Sequence, residues 1–236
     1  MGKMTLDLDD EIESKLRAFV RHNYLRSHGQ LTLVIEKAIQ EFVERQSVFD
    51  FIDQIGEGRH ALLLYQDQEM ARTLELRFML NGLKKGLHAV YFLPAKEKVT
   101  PELIREQLAV YASQLGVSYD REKAHVMPLT YPGLRSKRMA KDAVTSLLSG
   151  IGGFSPAYAV VHFYSPSDGE QERRAEVEIE SELQASFRGF PGSVLCNFQV
   201  TGLNPATISH WASEEVVRHH DVIYCLERKN LAYKLD

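Results

Sequence analysis

The sequence predicts an α/β domain, a largely parallel sheet with helices on both faces, preceded by a small unit that needs a second copy of itself. Three observations carry this. From about residue 60, apolar runs of strand length alternate with stretches of helical periodicity through five strand–helix–strand steps. The first such run, Ala61 to Leu64, stops at a polar turn, and a long helical pattern follows from about Gln68. Before all of this, fewer than fifty residues carry one alternating strand and two amphipathic stripes, too little chain to bury a core alone.

In residues 3–8, Met4, Leu6 and Leu8 point one way while Lys3, Thr5 and Asp7 point the other. Asp9 and Asp10 suit an N-cap and the first turn of a helix. Ile12, Leu16, Phe19 and Val20 form its stripe, up to about His22. A connection through Gly29 leads to Thr32, which can cap a second helix striped by Val34, Ile35, Ala38, Ile39, Phe42 and Val43. Residues 47–58 read as a junction, docked by Phe49, Phe51 and Ile52 and ended by Gly56 and Gly58.

Strands are then expected at 60–64, 89–93, 125–127, 157–162, 194–198 and 222–226, with an edge hairpin returning over 231–235. Helices are expected at about 68–85, 101–115, 136–151, 171–188 and 205–219. The domains are accordingly 1–47 and 55–236.

The N-terminal pattern, Met4-Thr5-Leu6-Asp7-Leu8-Asp9-Asp10-Glu11 followed by Thr32-Leu33-Val34-Ile35-Glu36-Lys37-Ala38-Ile39, resembles the ribbon-helix-helix family of dimeric DNA-binding domains over residues 3–46. The resemblance implies a homodimer whose paired strands enter the major groove. Lys3, Thr5 and Asp7 would face the bases, and Thr32 and Leu33 would meet a backbone phosphate. Acidic and basic residues nearly balance over 1–48, so any DNA contact must be local.

The larger segment is similar, over about 55–227, to the methanogen/methylotroph dichloromethane-regulator sensory (MEDS) domain, which is RecA-like. The matching residues are His60-Ala61-Leu62-Leu63-Leu64-Tyr65, then Gly82-Leu83-Lys84-Lys85-Gly86 before Val90-Tyr91-Phe92. Leu195-Cys196-Asn197-Phe198 and His219-His220-Asp221-Val222-Ile223 complete the set. This resemblance implies a sensor of a small molecule or signal without established catalysis.

Composition bounds the chemistry. At 44% hydrophobic, 25% charged and net charge -4, the chain has the make-up of an ordinary globular protein without a strongly basic footprint. Apolar runs stay well short of the roughly 20 residues that span a bilayer. A cytoplasmic protein is expected, with no membrane partner. The two cysteines, Cys196 and Cys225, sit in apolar runs and read as buried free thiols, not as a disulfide or metal framework.

The turn after the first strand, Tyr65-Gln66-Asp67-Gln68-Glu69, lacks the glycines, lysine and hydroxyl residue of a phosphate loop. A RecA-like ATPase is therefore disfavoured, and neither an enzyme, a cofactor nor a metal is expected. The histidines His210, His219 and His220 face different ways on one helix and suit its terminus better than a metal. Glu176, Glu178, Glu180 and Glu182 follow Arg173 and Arg174 on a helix striped by Ala175, Ile179, Leu183 and Phe187, and read as a solvated charged face.

Ligand contacts are expected just past the strand ends, at Tyr65, Asp67, Lys96, Tyr131, Tyr164, Ser165, Gln199 and Thr201. Aromatic and hydroxyl groups there suit a small, weakly polar ligand. The sequence thus reads as a dimeric transcription regulator with a sensory domain. The alternative is a signalling scaffold whose N-terminal segment only dimerises.

Overall fold

The structure, a computed structural model, describes residues 8–23, 30–94, 99–129, 137–162, 170–187, 192–200, 221–226 and 229–233. The chain divides into two units, Met1–Gln46 and Ser47–Asp236. Among the described residues, no helix is long and apolar enough to cross a membrane.

In the first unit, α1 spans Asp10–Asn23 and α2 begins at Gln30. Asp9 caps α1: its carboxylate accepts from the Glu11 N–H at 2.8 Å and its carbonyl from the Glu13 N–H at 2.9 Å. Of the strand expected over 3–8, only Leu8 falls within the described residues; Lys3, Thr5 and Asp7 lie outside them. Thr32 does not cap α2. The helix already includes Gln30 and Leu31, both good helix formers, so Thr32 is a helical residue of its first turn.

The expected junction is also helical for most of its length, because α2 runs on to Gln54. Val48, Ile52 and Ile55 recur at helical spacing and are buried, so of the expected anchors Ile52 joins one apolar face while Phe49 and Phe51 are half-buried. Within the second unit this turn is held by Asn81, whose side-chain amide donates to the Ile52 carbonyl at 3.0 Å. Arg77 adds a two-pronged pair to Asp53 at 2.8 and 2.5 Å.

The second unit continues as β1 (His60–Tyr65), α3 (Gln68–Lys84), β2 (His88–Pro94), α4 (Pro101–Gln114) and a 3-10 turn (Arg121–Lys123). It then runs through β3 (Ala124–Leu129), α5 (Lys137–Gly152), β4 (Ala157–His162), α6 (Glu170–Ser186), β5 (Gly192–Gln199), β6 (Asp221–Leu226) and β7 (Lys229–Tyr233). These strands form one sheet in the order β3-β2-β4-β5-β1-β6-β7. Every neighbouring pair is parallel except the terminal β6–β7 hairpin. The helix expected over 205–219 lies outside the described residues.

Alternation along the strands feeds two cores. On one face Ala61, Leu63, Tyr65, Tyr91, Tyr158 and Leu195 meet α3 and α4 through Leu74, Phe78, Ile104 and Leu108. On the other, Leu62, Leu64, Phe92, Val161 and Phe198 meet α5 and α6 through Leu147, Ile151, Ile179 and Leu183. Gly86, at φ +74°, ends α3 in a conformation that glycine adopts without strain and feeds the chain into β2.

Gly82 lets α3 lie close on β4. A Cβ there would stand 2.8 Å from the Tyr158 Cβ and 2.9 Å from two ring atoms, none of them the end of a flexible chain. Gly82→Ala gains about 1 kcal/mol of helix propensity against about 1–3 kcal/mol of overpacking. We expect a net loss, read as a lower urea midpoint; an unchanged or raised midpoint contradicts the close approach.

Candidate functional site

Because β1 to β6 run parallel, their carboxyl ends share one edge, where α/β sheets place their ligands. Tyr65 ends β1, in register with Gln199 of β5 and Cys225 of β6. The Tyr65 carbonyl accepts from the Val200 N–H at 2.7 Å, and the Gln66 N–H donates to the Cys225 carbonyl at 2.8 Å. Three strand ends are thereby tied together where the first exit loop begins. Burial, followed by the charge of Asp67, pushes the Cys225 thiol up to about 12, so it is a thiol at neutral pH.

Of the expected ligand contacts, Tyr65, Asp67 and Gln199 are described; Lys96, Tyr131, Tyr164, Ser165 and Thr201 lie outside the described residues. Gln199 is half-buried at the edge beside Tyr65. The Asp67 carboxylate caps α3, accepting from the Met70 N–H at 3.0 Å. Tyr65 points inward: it is 1% exposed, and alternation places it with Ala61 and Leu63 on the α3 face.

There it joins a buried polar network of residues that sequence reasoning missed. The Tyr65 hydroxyl lies 3.0 Å from His162 Nε2, and His162 Nδ1 lies 3.3 Å from Glu75 Oε1. Asn197, beside His162 in the register of β4 and β5, donates to Glu75 Oε1 at 2.5 Å. Tyr91 donates to Glu75 Oε2 at 2.8 Å. The Arg72 guanidinium sits 3.0 Å from the same oxygen, packs 5.2 Å from the centre of the Tyr91 ring, and donates to the Tyr91 hydroxyl.

Glu75, on α3, is the hub at 1% exposure. Burial alone raises its pKa, but the Arg72 charge and the hydrogen bonds and charge of His162, with the Tyr91 hydroxyl, outweigh that and hold the carboxyl below its usual range. An ionised Glu75 accepts from His162 Nδ1, and in the neutral imidazole Nε2 then accepts from the Tyr65 hydroxyl. The result is a phenol–imidazole–carboxylate line, the order in which a hydroxyl, its base and an orienting acid are arranged for proton transfer. Its members are buried, so it works beneath the edge by holding Tyr65 and the start of α3 in one arrangement.

The signals for these residues were present. Glu75 stands four residues from both Ala71 and Met79, inside the stripe that meets the sheet. His162 closes an otherwise apolar run, and Asn197 interrupts one. A second acidic residue was misplaced by the sequence reading. Glu180, expected on a solvated face, has a fully buried side chain; as neighbour of Ile179 and one turn before Gln184, it faces the sheet. Its flanking partners Glu178 and Glu182 are half-buried.

Comparison with family models returns no match, and no curated protein matches. Among solved structures the chain is similar to a KaiC-like protein from the hyperthermophilic archaeon Pyrococcus horikoshii OT3. The identity is 16%, the coverage 77% of this chain and 81% of that one, and the TM-score 0.49. At that level the likeness concerns the fold alone, an α/β arrangement around a largely parallel sheet. The expectation of a non-enzyme is withdrawn, and catalysis is left to direct assay.

Proposed function

We propose that this chain is a dimeric transcription regulator whose RecA-like domain senses a small molecule or signal at the carboxyl edge of its sheet. One observation carries the proposal. In the first unit Ile12 and Phe19 on α1, and Leu33, Ile39, Phe42 and Val43 on α2, are exposed by 40 to 68%. Two helices cannot bury these side chains between themselves, and a second copy of the same unit offers the matching surface.

The ribbon-helix-helix resemblance supplies the rest of that arm: Lys3, Thr5 and Asp7 toward bases, and Thr32 and Leu33 toward a phosphate. Thr32 and Leu33 are both exposed in the first turn of α2, where backbone N–H groups suit an anion. For the sensory arm, the MEDS resemblance and the tied strand ends at Tyr65 and Gln199 support a ligand at the edge. Binding there alters DNA affinity only if it favours one of two states of the dimer.

The test uses the full chain. Light scattering is expected to give a dimer, and a gel-shift on genomic DNA fragments is expected to show retardation that weakens steeply with salt. Phe42→Glu, which places a charge at the most exposed large apolar side chain among the described residues, is expected to give monomer and abolish retardation. A monomeric wild type overturns the dimer. A dimer that retards no fragment at low salt overturns DNA binding and leaves a dimerising scaffold. Phosphate release from ATP and magnesium, measured on the same preparation, decides whether the RecA-like domain also turns over nucleotide.

A further inference from the structure

On the opposite sheet face, at the amino end of β1, a second buried cluster has no part in the edge network. His60 opens β1, and Cys196 lies in β5 two residues beyond Val194, the partner of His60 in the register. That spacing puts both side chains on the α6 face. Glu180 descends from α6 onto them. His60 Nε2 stands 3.0 Å from Glu180 Oε1 and 3.2 Å from Cys196 Sγ. The three donor atoms all lie within 4.8 Å of one another, and all three side chains are buried.

We propose that His60, Glu180 and Cys196 form a binding site for a divalent zinc-type cation. The donor set is the first reason. Imidazole, carboxylate and thiolate are the ligands such an ion takes, and a tetrahedral ion with bonds of about 2.0–2.3 Å needs its donors roughly 3.3–3.6 Å apart. His60 Nε2 is already within a few tenths of an ångström of that distance from both of its neighbours.

The second reason is orientation. His60 Nδ1 lies 2.6 Å from Gln184 Oε1, an amide oxygen one helical turn beyond Glu180 on α6. With that oxygen accepting, the neutral imidazole carries its proton on Nδ1 and aims the Nε2 lone pair at the carboxylate and the sulfur. Metal-binding histidines are held in this way by a partner on the other ring nitrogen. Phe187 packs its ring 5.2 Å from the imidazole and closes the side of the cluster.

The third reason is charge. In the neutral tautomer a lone pair faces a carboxylate oxygen at 3.0 Å, and a cation between them, the metal ion or a proton, removes the repulsion. A divalent ion with one thiolate, one carboxylate and a neutral imidazole sums to zero, which suits a buried site. Binding the ion releases the thiol proton to solvent and involves no change of oxidation state. Three protein donors leave the fourth position of the ion to water or another small donor. The competing arrangement is a metal-free imidazolium–carboxylate pair beside a neutral thiol.

The experiment uses untagged full-length protein, purified without a metal column. Elemental analysis is expected to find about one zinc ion per chain, removable by chelator and restored by added zinc chloride. Cobalt chloride added to the stripped protein is expected to give the visible absorption of a thiolate-bound tetrahedral ion. Cys196→Ala, a small change whose fold is checked by circular dichroism, is expected to lose both the ion and the absorption. His60→Gln is a second test of the ligand set.

Zinc is further expected to raise the melting temperature of the stripped wild type and not that of Cys196→Ala. Wild type that takes up no zinc from micromolar solution, with an unchanged melting temperature, overturns the site. So does zinc retained by Cys196→Ala.

Discussion

Glu75→Ala is expected to destabilise the chain by about 3–5 kcal/mol, because removing one partner of a buried ion pair strands the others. Arg72 would keep the Tyr91 hydroxyl, but the side-chain amide of Asn197 and Nδ1 of His162 would lose the carboxylate they address. Glu75→Gln restores the shape and one acceptor, and should cost less than the alanine. Denaturant unfolding of both variants checks this. A loss below about 1 kcal/mol for the alanine would mean that water reaches the network and replaces the carboxylate.

The same residue fixes a pH dependence. In the folded chain the Glu75 carboxyl is held below its ordinary value of 4.5. At low pH the unfolded chain therefore binds a proton that the folded chain resists. The stabilisation by Glu75 is fully present above the ordinary value and is lost as pH falls through the lower folded value. Asp53, paired with Arg77, is held down too, after burial has pushed it up, and acts in the same direction. The difference between wild type and Glu75→Gln isolates Glu75. It should stay flat from neutral pH down to the ordinary value and shrink below it.

How far the sequence foretold this follows from what each residue had to announce. Period and length identify strands and helices, and the runs at 60–64, 157–162 and 222–226 matched β1, β4 and β6 to within a residue or two. Patterning also placed the closing antiparallel hairpin. It failed where one signal serves two structures. Phe49, Phe51 and Ile52 are equally consistent with a docked linker and with a last helical turn, and only the partners of Ile52 and Asp53 on α3 decide between them.

The site was less legible, for a physical reason. Sequence reasoning looked for ligand groups past the strand ends, where loops carry them. Several of those residues lie outside the described chain, while the described polar groups converge one layer deeper. Glu75, His162 and Asn197 come from a helix and two strands, and pairing between distant segments leaves no local spacing to read. Glu180 and His60 are the same case on the other face. A run of alternating acids in α6 looks solvated until a histidine 120 positions away is seen beneath one of them.

Phe78→Ala tests what holds that deeper layer in place. Phe78 is fully buried on the stripe of α3 that also carries Ala71 and Leu74. Its ring centre lies 5.0 Å from that of Tyr158 at a tilt of 50°, an arrangement favoured by aromatic quadrupoles. Truncation removes that contact and leaves a cavity between helix and sheet, because the backbone beside Gly82 is already as close to Tyr158 as it can come. The expected loss is about 3–5 kcal/mol, a large share of the roughly 5–15 kcal/mol that stabilises a typical domain.

Val110 on α4 is the control: it is 59% exposed, and Val110→Ala should stay within about 0.5 kcal/mol. If α3 can instead settle into the space, the two variants will differ by less than about 1 kcal/mol, and the helix that carries Arg72 and Glu75 is softer than its packing indicates. A large difference means that the network is held from below by a rigid contact. Tyr65 and the strand ends around it then form an edge fixed in advance of any ligand.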